Sequence, residues 1–249
     1  MNIALLASVL PVVILLIFIY KKDKFQPEPI GKLVLAFFVG CFSVVPAIGM
    51  ELGLQLLEPD NPVGAAFFNG FVVAAFCEEL CKLSLLYWLV WKSRHFDEYF
   101  DGIVYAAFLS LGFACVENIG YVLMESDTPM TIALFRGLLA VPAHFLFAVI
   151  MGYHFSLAKF DAPRRRTHLF HALLYPLLLH GTYDTLLMLT DALGGSNEQA
   201  AAIAGLIFFV FLAFDVMMWR WALQRIKRMQ ELSKAQNFNP QNPFEGFKW

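Results

Sequence analysis

Long apolar stretches alternate with short polar breaks along the whole chain. Seven of the stretches are long enough to cross about 30 Å of hydrocarbon as helices, which takes roughly 20 residues each. Backbone polar groups in lipid must be hydrogen-bonded within their own segment, so the spans are predicted to be α-helices. The pattern therefore predicts an all-α fold, a polytopic transmembrane helical bundle of about seven spans. The predicted spans are residues 3–20, 31–57, 64–91, 101–124, 131–158, 168–191 and 199–222.

The composition agrees with a chain whose main solvent is the lipid bilayer. Hydrophobic residues make up 59% of the chain and charged residues only 15%, whereas a soluble domain carries roughly 25% charge. No loop is long enough to form a separate domain, so residues 1–228 are predicted to be one transmembrane domain. Residues 229–249 are predicted to be a poorly ordered cytoplasmic tail. The net charge of -2 gives no pull toward nucleic acid.

Lysine and arginine lie in alternate loops and so predict the orientation of the bundle. They cluster at residues 21–32, 92–94, 159–166 and 220–228, whereas the opposite loops contain acidic residues. Because positive charge is enriched in cytoplasmic loops, the N-terminus is predicted to face outward and the C-terminus to be cytoplasmic.

Several ionisable side chains lie inside the predicted spans. Each costs about 2.5–3.5 kcal/mol to insert at the centre of a helix, which makes it a candidate functional group. Counted from the outer ends, four of them lie about 12 to 14 residues deep and two about 7, so all are predicted to share one layer. The four deeper residues are Glu78, Glu79, His144 and His180, and the other two are Glu117 and Asp184.

Spacing places pairs of these residues on common helix faces. His180 and Asp184 are four residues apart, as are Glu78 and Lys82, and residues at this spacing are neighbours on a helix. Two carboxylates in different surroundings suit acid and base roles. Pro142 lies two residues before His144, and its missing hydrogen bond predicts a local kink that admits water.

These residues together resemble the PrsW family of intramembrane proteases, which is distantly similar to the CAAX prenyl-protease and Abi superfamily. The resemblance covers nearly the whole membrane region. The motifs that carry it are Glu78-Glu79-x-x-Lys82, Phe113-x-x-x-Glu117-Asn118, Arg136 followed by His144, and His180-Gly181-x-x-Asp184.

The resemblance implies hydrolysis of a peptide bond in a single-span membrane protein such as an anti-sigma factor, in the plasma (inner) membrane of a bacterium. It implies catalytic roles for Glu78, Glu79, Glu117, His144, His180 and Asp184. Glu78 or Glu79 would activate water beside His144, and His180 with Asn118 would stabilise the oxyanion. Lys82, Asn118 and Arg136 would support the site.

Two chemistries remain open for this site. In one, His144, His180 and a carboxylate from Glu117 or Asp184 hold Zn²⁺ and leave a position for water. In the other, a glutamate and His144 activate water without a metal. The His-Glu-x-x-His motif of helical zinc proteases is missing from the chain, which favours the metal-free version.

Two other functions are compatible with the pattern. Glutamate, histidine and lysine buried in a bundle also form proton relays, so a proton-coupled transporter is the first alternative. The second is a non-catalytic membrane scaffold, in which buried polar residues only join helices. A scaffold would tolerate replacement of His144 and His180 by alanine, whereas a protease would not.

Overall fold

The computed structural model describes residues 2–124, 127–195 and 197–238, and these residues contain helices and no strand. The predicted all-α fold is confirmed. The helices are α1 (Asn2–Lys22), α2 (Ile30–Gln55), α3 (Pro62–Phe68), α4 (Cys77–Val90), α5 (Asp101–Met124), α6 (Pro129–Leu138), α7 (Ala140–Phe160), α8 (Arg165–Leu193) and α9 (Glu198–Phe238). A π-helical segment (Asn69–Phe76) joins α3 to α4, and a 3-10 turn (Ala162–Arg164) precedes α8.

Six helical runs in the described residues are long and apolar enough to cross a membrane. They are α1, α2, the run Pro62–Val90, α5, the run Pro129–Phe160, and α9. The remaining predicted span, residues 168–191, is α8, which has 29 residues. Its histidine and aspartate side chains make it more polar than the others, but its length of roughly 44 Å suits a membrane-crossing helix.

Helices α5 and α7 form the centre of the bundle. Every residue of α5 from Asp101 to Cys115 is buried. The two helices approach closely at Gly102 and Gly152, because a Cβ atom on Gly152 would lie 2.6 Å from the Cα atom of Ile103. Small residues permit such backbone contact between membrane helices. The close contact fixes the helix that carries Glu117 against the helix that carries His144.

The fifth predicted span, residues 131–158, consists of two helices rather than one. Helix α6 ends at Leu138 and α7 begins at Ala140. Pro142 lacks a backbone N–H, and its ring collides with the carbonyl group four residues earlier, which belongs to Leu138. The break therefore lies one turn before His144, and the expected distortion near this histidine is confirmed.

The C-terminal part of the chain differs from its prediction. Residues 229–238 continue helix α9, and Met229, Leu232 and Ser233 are buried. The Ser233 hydroxyl accepts a hydrogen bond of 2.9 Å from the backbone N–H of Phe100. Helix α9 therefore extends ten residues beyond the predicted tail boundary at residue 228, because these residues pack against the α4–α5 loop. Residues 239–249 of the predicted tail lie outside the described residues.

The carboxyl groups of Asp23 and Glu28 are buried together at the end of the bundle that contains the α4–α5 loop. Asp23 accepts a hydrogen bond of 2.9 Å from the backbone N–H of Glu28, and the hydroxyl of Tyr105 donates to the Glu28 carboxyl. Burial raises the pKa of Asp23 to about 6 and that of Glu28 to about 7. Both carboxyl groups are therefore partly protonated near neutral pH. This reduces the repulsion between them and allows them to stabilise the link between α1 and α2.

Candidate active site

Helix α4 places two glutamates around one buried lysine. The Lys82 ammonium donates to Glu78 Oε2 at 2.9 Å and to Glu79 Oε1 at 2.8 Å. The spacings of four and three residues bring both carboxylates onto one face of the helix. Lys82 is 1% exposed, so it depends on these carboxylates in place of water.

His144 connects this pair to α5. Its Nδ1 atom lies 3.1 Å from Lys82 Nζ, and its Nε2 atom lies 2.8 Å from Glu117 Oε2. Since an ammonium group only donates, Nδ1 must accept and Nε2 must carry the hydrogen that is donated to Glu117. Glu117 also pairs with Arg136 at 2.9 Å. The contacts fix both the orientation and the tautomer of the His144 ring.

His180 connects Glu79 to the open side of the site. Its Nδ1 atom lies 3.0 Å from Glu79 Oε1, and its Nε2 atom lies 3.1 Å from Asp184 Oδ2. An imidazolium can donate to both carboxylates at once. The ring stacks on Phe147 with centroids 4.8 Å apart and lies 5.5 Å from the ring of His144. The two histidines therefore flank the α4 glutamates from two different helices.

The structure brings all nine sequence-predicted site residues into one chain of contacts. These contacts run from Asp184 on α8, through the two glutamates and the lysine of α4, to Arg136 on α6. Asn118 is the residue whose surroundings differ most from the expected role. Its side-chain nitrogen donates to the carbonyl oxygen of Ser8 at 2.8 Å, its oxygen accepts from Arg136 at 3.1 Å, and it is fully buried. This amide holds Arg136 and helix α1 in place rather than facing a reacting group.

One side of the network is accessible and one carboxylate oxygen inside it is free. The side chains of Glu117, Arg136 and Asp184 are 20%, 20% and 22% exposed, whereas that of Glu79 is 1% exposed. Glu79 Oε2 is buried and accepts no hydrogen bond within the described part of the chain. A buried oxygen without a partner is unfavourable, so this atom is where a water molecule can bind.

The side-chain atoms that could bind a metal ion surround a cation of the protein itself, the ammonium group of Lys82. Glu78, Glu79 and His144 form a group of ligand atoms within 4.8 Å of one another, and all three contact Lys82 Nζ. Zn²⁺ needs ligand distances of about 2.0–2.2 Å, so it cannot share this position with the ammonium. His144 and His180 are not grouped with Glu117 or Asp184 among the described residues, and each ring is already bound by carboxylates.

Two aromatic residues of the site were not identified from the sequence. Phe147 stacks on His180, and the guanidinium of Arg136 lies 3.7 Å from the centroid of the Tyr121 ring. Both follow a site residue at helical spacing, since Tyr121 is four residues after Glu117 and Phe147 three after His144. That spacing is a detectable signal, but it is common among lipid-facing aromatic residues.

A close helix contact holds His180 in position. A Cβ atom on Gly181 would overlap the ring of Phe71 in the π-helical segment. A Cβ atom on Gly70 would lie 3.0 Å from the Gly181 carbonyl oxygen. Helix α8 therefore lies directly against the segment that leads into the glutamate pair.

Replacing Gly181 by alanine is expected to lower the activity of this site at least tenfold. The added methyl group pushes Phe71 or α8 outward, and a shift of about 1 Å in a reacting geometry can cost 100-fold in rate. Gly120→Ala is the matched control, because a Cβ atom there meets nothing within 4 Å. Reaction rates of both variants at equal folded concentration test this, and equal rates for the two would contradict it.

Known proteins that are similar to this chain belong to one family. A model of the PrsW family of intramembrane metalloproteases matches residues 28–216. Proteins named Protease PrsW from Clostridioides difficile and Bacillus subtilis are 34% and 35% identical to the chain; each alignment covers 92% of it, and 92% and 97% of the relative. No solved structure matches the chain. The chain therefore belongs to the PrsW family, and it is an intramembrane peptidase.

Proposed function

We propose that this peptidase uses Glu79 as the base that activates water. The supporting observation is the free, buried Oε2 atom of a carboxylate whose other oxygen is held by both Lys82 and His180. A general base must lie within hydrogen-bond reach of the water it deprotonates. With Oε1 occupied, Oε2 is the atom of Glu79 that receives the proton.

The reaction follows from this placement. Water bound to Glu79 Oε2 attacks the peptide carbonyl carbon while its proton passes to Glu79, and the carbonyl oxygen becomes an oxyanion. Glu79 then gives the proton to the peptide nitrogen, the C–N bond breaks, and a carboxyl and an amine are formed. Lys82 and His180 hold the carboxylate in place throughout, while Asp184 orients His180 from the other side.

Arg136 is proposed to stabilise the oxyanion. It lies on the accessible side of the network, where Glu117, Asn118 and the Tyr121 ring hold its guanidinium. Fixed donors directed at developing charge are the largest single contribution to many enzymatic rates. The expected partnership of His180 with Asn118 is replaced here, because the Asn118 amide is bound to Ser8 and Arg136.

The description of the family as metalloproteases implies a metal ion. The residues as arranged do not fit one, since the Lys82 ammonium lies among the convergent donors Glu78, Glu79 and His144. The proposed steps therefore use side chains and water alone. Metal analysis of the purified protein, with activity measured after chelation and readdition, tests this part.

The substrate is proposed to be a single-span membrane protein, such as an anti-sigma factor, cut toward the outer face of a bacterial plasma membrane. The positively charged loops support a cytoplasmic C-terminus, and the relatives are bacterial. The accessible side chains Glu117 and Asp184 lie about 7 residues from the predicted outer ends of their spans. A substrate helix would reach the site from that side.

Co-expression with tagged single-span proteins tests the proposal. Wild type is expected to yield a defined cleavage product, whereas His180→Ala and the double variant Glu78→Gln/Glu79→Gln yield none. The exposed Glu231→Gln serves as a control for expression and folding. Continued cleavage by the double variant would refute the catalytic assignment, and a proton flux without cleavage would favour the transporter.

A further inference from the structure

Three histidines meet at the positively charged end of the bundle, away from the glutamate cluster. His154 lies near the end of α7, and His168 and His171 lie in the first two turns of α8. One nitrogen atom from each ring lies within 4.8 Å of the other two. The spacing of three residues on α8 directs both of its rings toward α7.

Two nitrogen atoms of this trio have no other partner among the described residues. The Nδ1 atoms of His154 and His168 are buried and have no hydrogen-bond partner in the described part of the chain. His154 itself is only 9% exposed. Polar atoms buried in this way normally have a partner, so the two nitrogens are available to bind a ligand.

A carboxylate orients one of the rings from behind. Asp161 Oδ2 lies 3.2 Å from His168 Nε2 and 2.7 Å from Arg164 Nε. This contact occupies Nε2 of His168 and leaves its Nδ1 atom as the nitrogen without a partner in the described part of the chain. Histidine ligands of metal ions characteristically donate their second nitrogen to a carboxylate, which fixes the tautomer and the ring.

The trio is separate from the proteolytic network. His154 is ten residues after His144 on the same helix, which corresponds to about 15 Å along the axis. The nearby cation Arg225 lies over the ring of Tyr153 at 4.6 Å. The trio has no contact with the α4 glutamates, so its occupant need not take part in hydrolysis.

We propose that His154, His168 and His171 bind one Zn²⁺ ion, with Asp161 orienting His168. Imidazole ligands without a carboxylate in the inner set suit Zn²⁺ and exclude Mg²⁺ and Ca²⁺, which prefer oxygen. Three protein ligands leave one tetrahedral position for water. The ion would tie α7 to α8, the two helices that carry His144 and His180.

Zinc binding to the full-length protein, purified in detergent without a histidine tag and stripped of metal, tests the proposal. Wild type is expected to bind one equivalent of Zn²⁺ at the trio, unaffected by millimolar Mg²⁺, and Co²⁺ should give the visible absorption of a tetrahedral site. His171→Asn should weaken this binding more than about 100-fold. Asp161→Asn should weaken it about 10- to 100-fold.

Two controls make the result specific. His95, the one histidine outside both clusters, lies in the α4–α5 loop, and His95→Asn should bind zinc as the wild type does. His144→Ala should also retain the trio's zinc, which separates this ion from any ion held by the proteolytic site. Zinc should raise the midpoint of thermal unfolding of wild type but not of His171→Asn. Unchanged zinc content and cobalt spectrum in His171→Asn would overturn the proposal.

Discussion

Replacing Glu79 by glutamine is expected to lower the rate of substrate cleavage by about 10³- to 10⁴-fold. A glutamine oxygen can still accept hydrogen bonds from Lys82 and His180, so the fold is kept. The amide cannot take a proton from water, and the loss of a general base typically costs 10²- to 10⁴-fold. Single-turnover cleavage of a purified substrate in detergent measures this effect.

Glu78→Gln is the matched comparison for Glu79→Gln. Both glutamates contact Lys82 at nearly the same distance, but only Glu79 also contacts His180 and has a free buried oxygen. Glu78→Gln should therefore retain a measurable rate, within about 100-fold of wild type. If Glu78→Gln is inactive while Glu79→Gln still cuts, the two roles are reversed.

Replacing Lys82 by methionine is expected to destabilise the protein by about 3–5 kcal/mol and to abolish cleavage. The ammonium is the shared donor of two buried carboxylates and of His144, and removing one partner of a buried ion pair leaves uncompensated charge. Methionine has a similar length, so the effect is one of charge rather than of volume. Chemical unfolding in detergent and the cleavage assay measure the two effects.

A double variant separates the two parts of the Lys82 prediction. Combining Lys82→Met with Glu78→Gln removes one of the stranded charges, so part of the lost stability should return. Activity should not return, because Glu79 still lacks its ammonium partner. Full stability of the single variant Lys82→Met would show that the carboxylates do not depend on this lysine.

The sequence was sufficient to predict the fold class and the residues that meet. The depth of Glu78, Glu79, His144 and His180 in their spans indicates one layer, because helix rise converts residue number directly into distance. The pairing of His180 with Asp184 follows from their spacing of four residues. These predictions depend on the rise and the residue spacing that every α-helix shares. The contacts among these residues in the structure therefore agree with them.

Other features depend on contacts between distant segments. Nothing in the sequence near Asn118 indicates that Ser8, 110 residues earlier, binds its amide. The histidine trio combines two residues of α8 with one from α7, across a loop, so the motif exists only after folding. The helical tail is similar, since Ser233 accepts its hydrogen bond from Phe100, 133 residues earlier in the chain.

The π-helical turns before Cys77 affect the orientation of everything that follows them. A π turn holds more residues than an α turn, so a return of residues 69–76 to α-helical hydrogen bonding would rotate α4 by about 100° for each residue of register. Such a rotation would carry Glu78 and Glu79 away from both histidines. The meeting of the acidic and imidazole groups therefore depends on a backbone register set one to two turns upstream, in a stretch that contains no ionisable side chain.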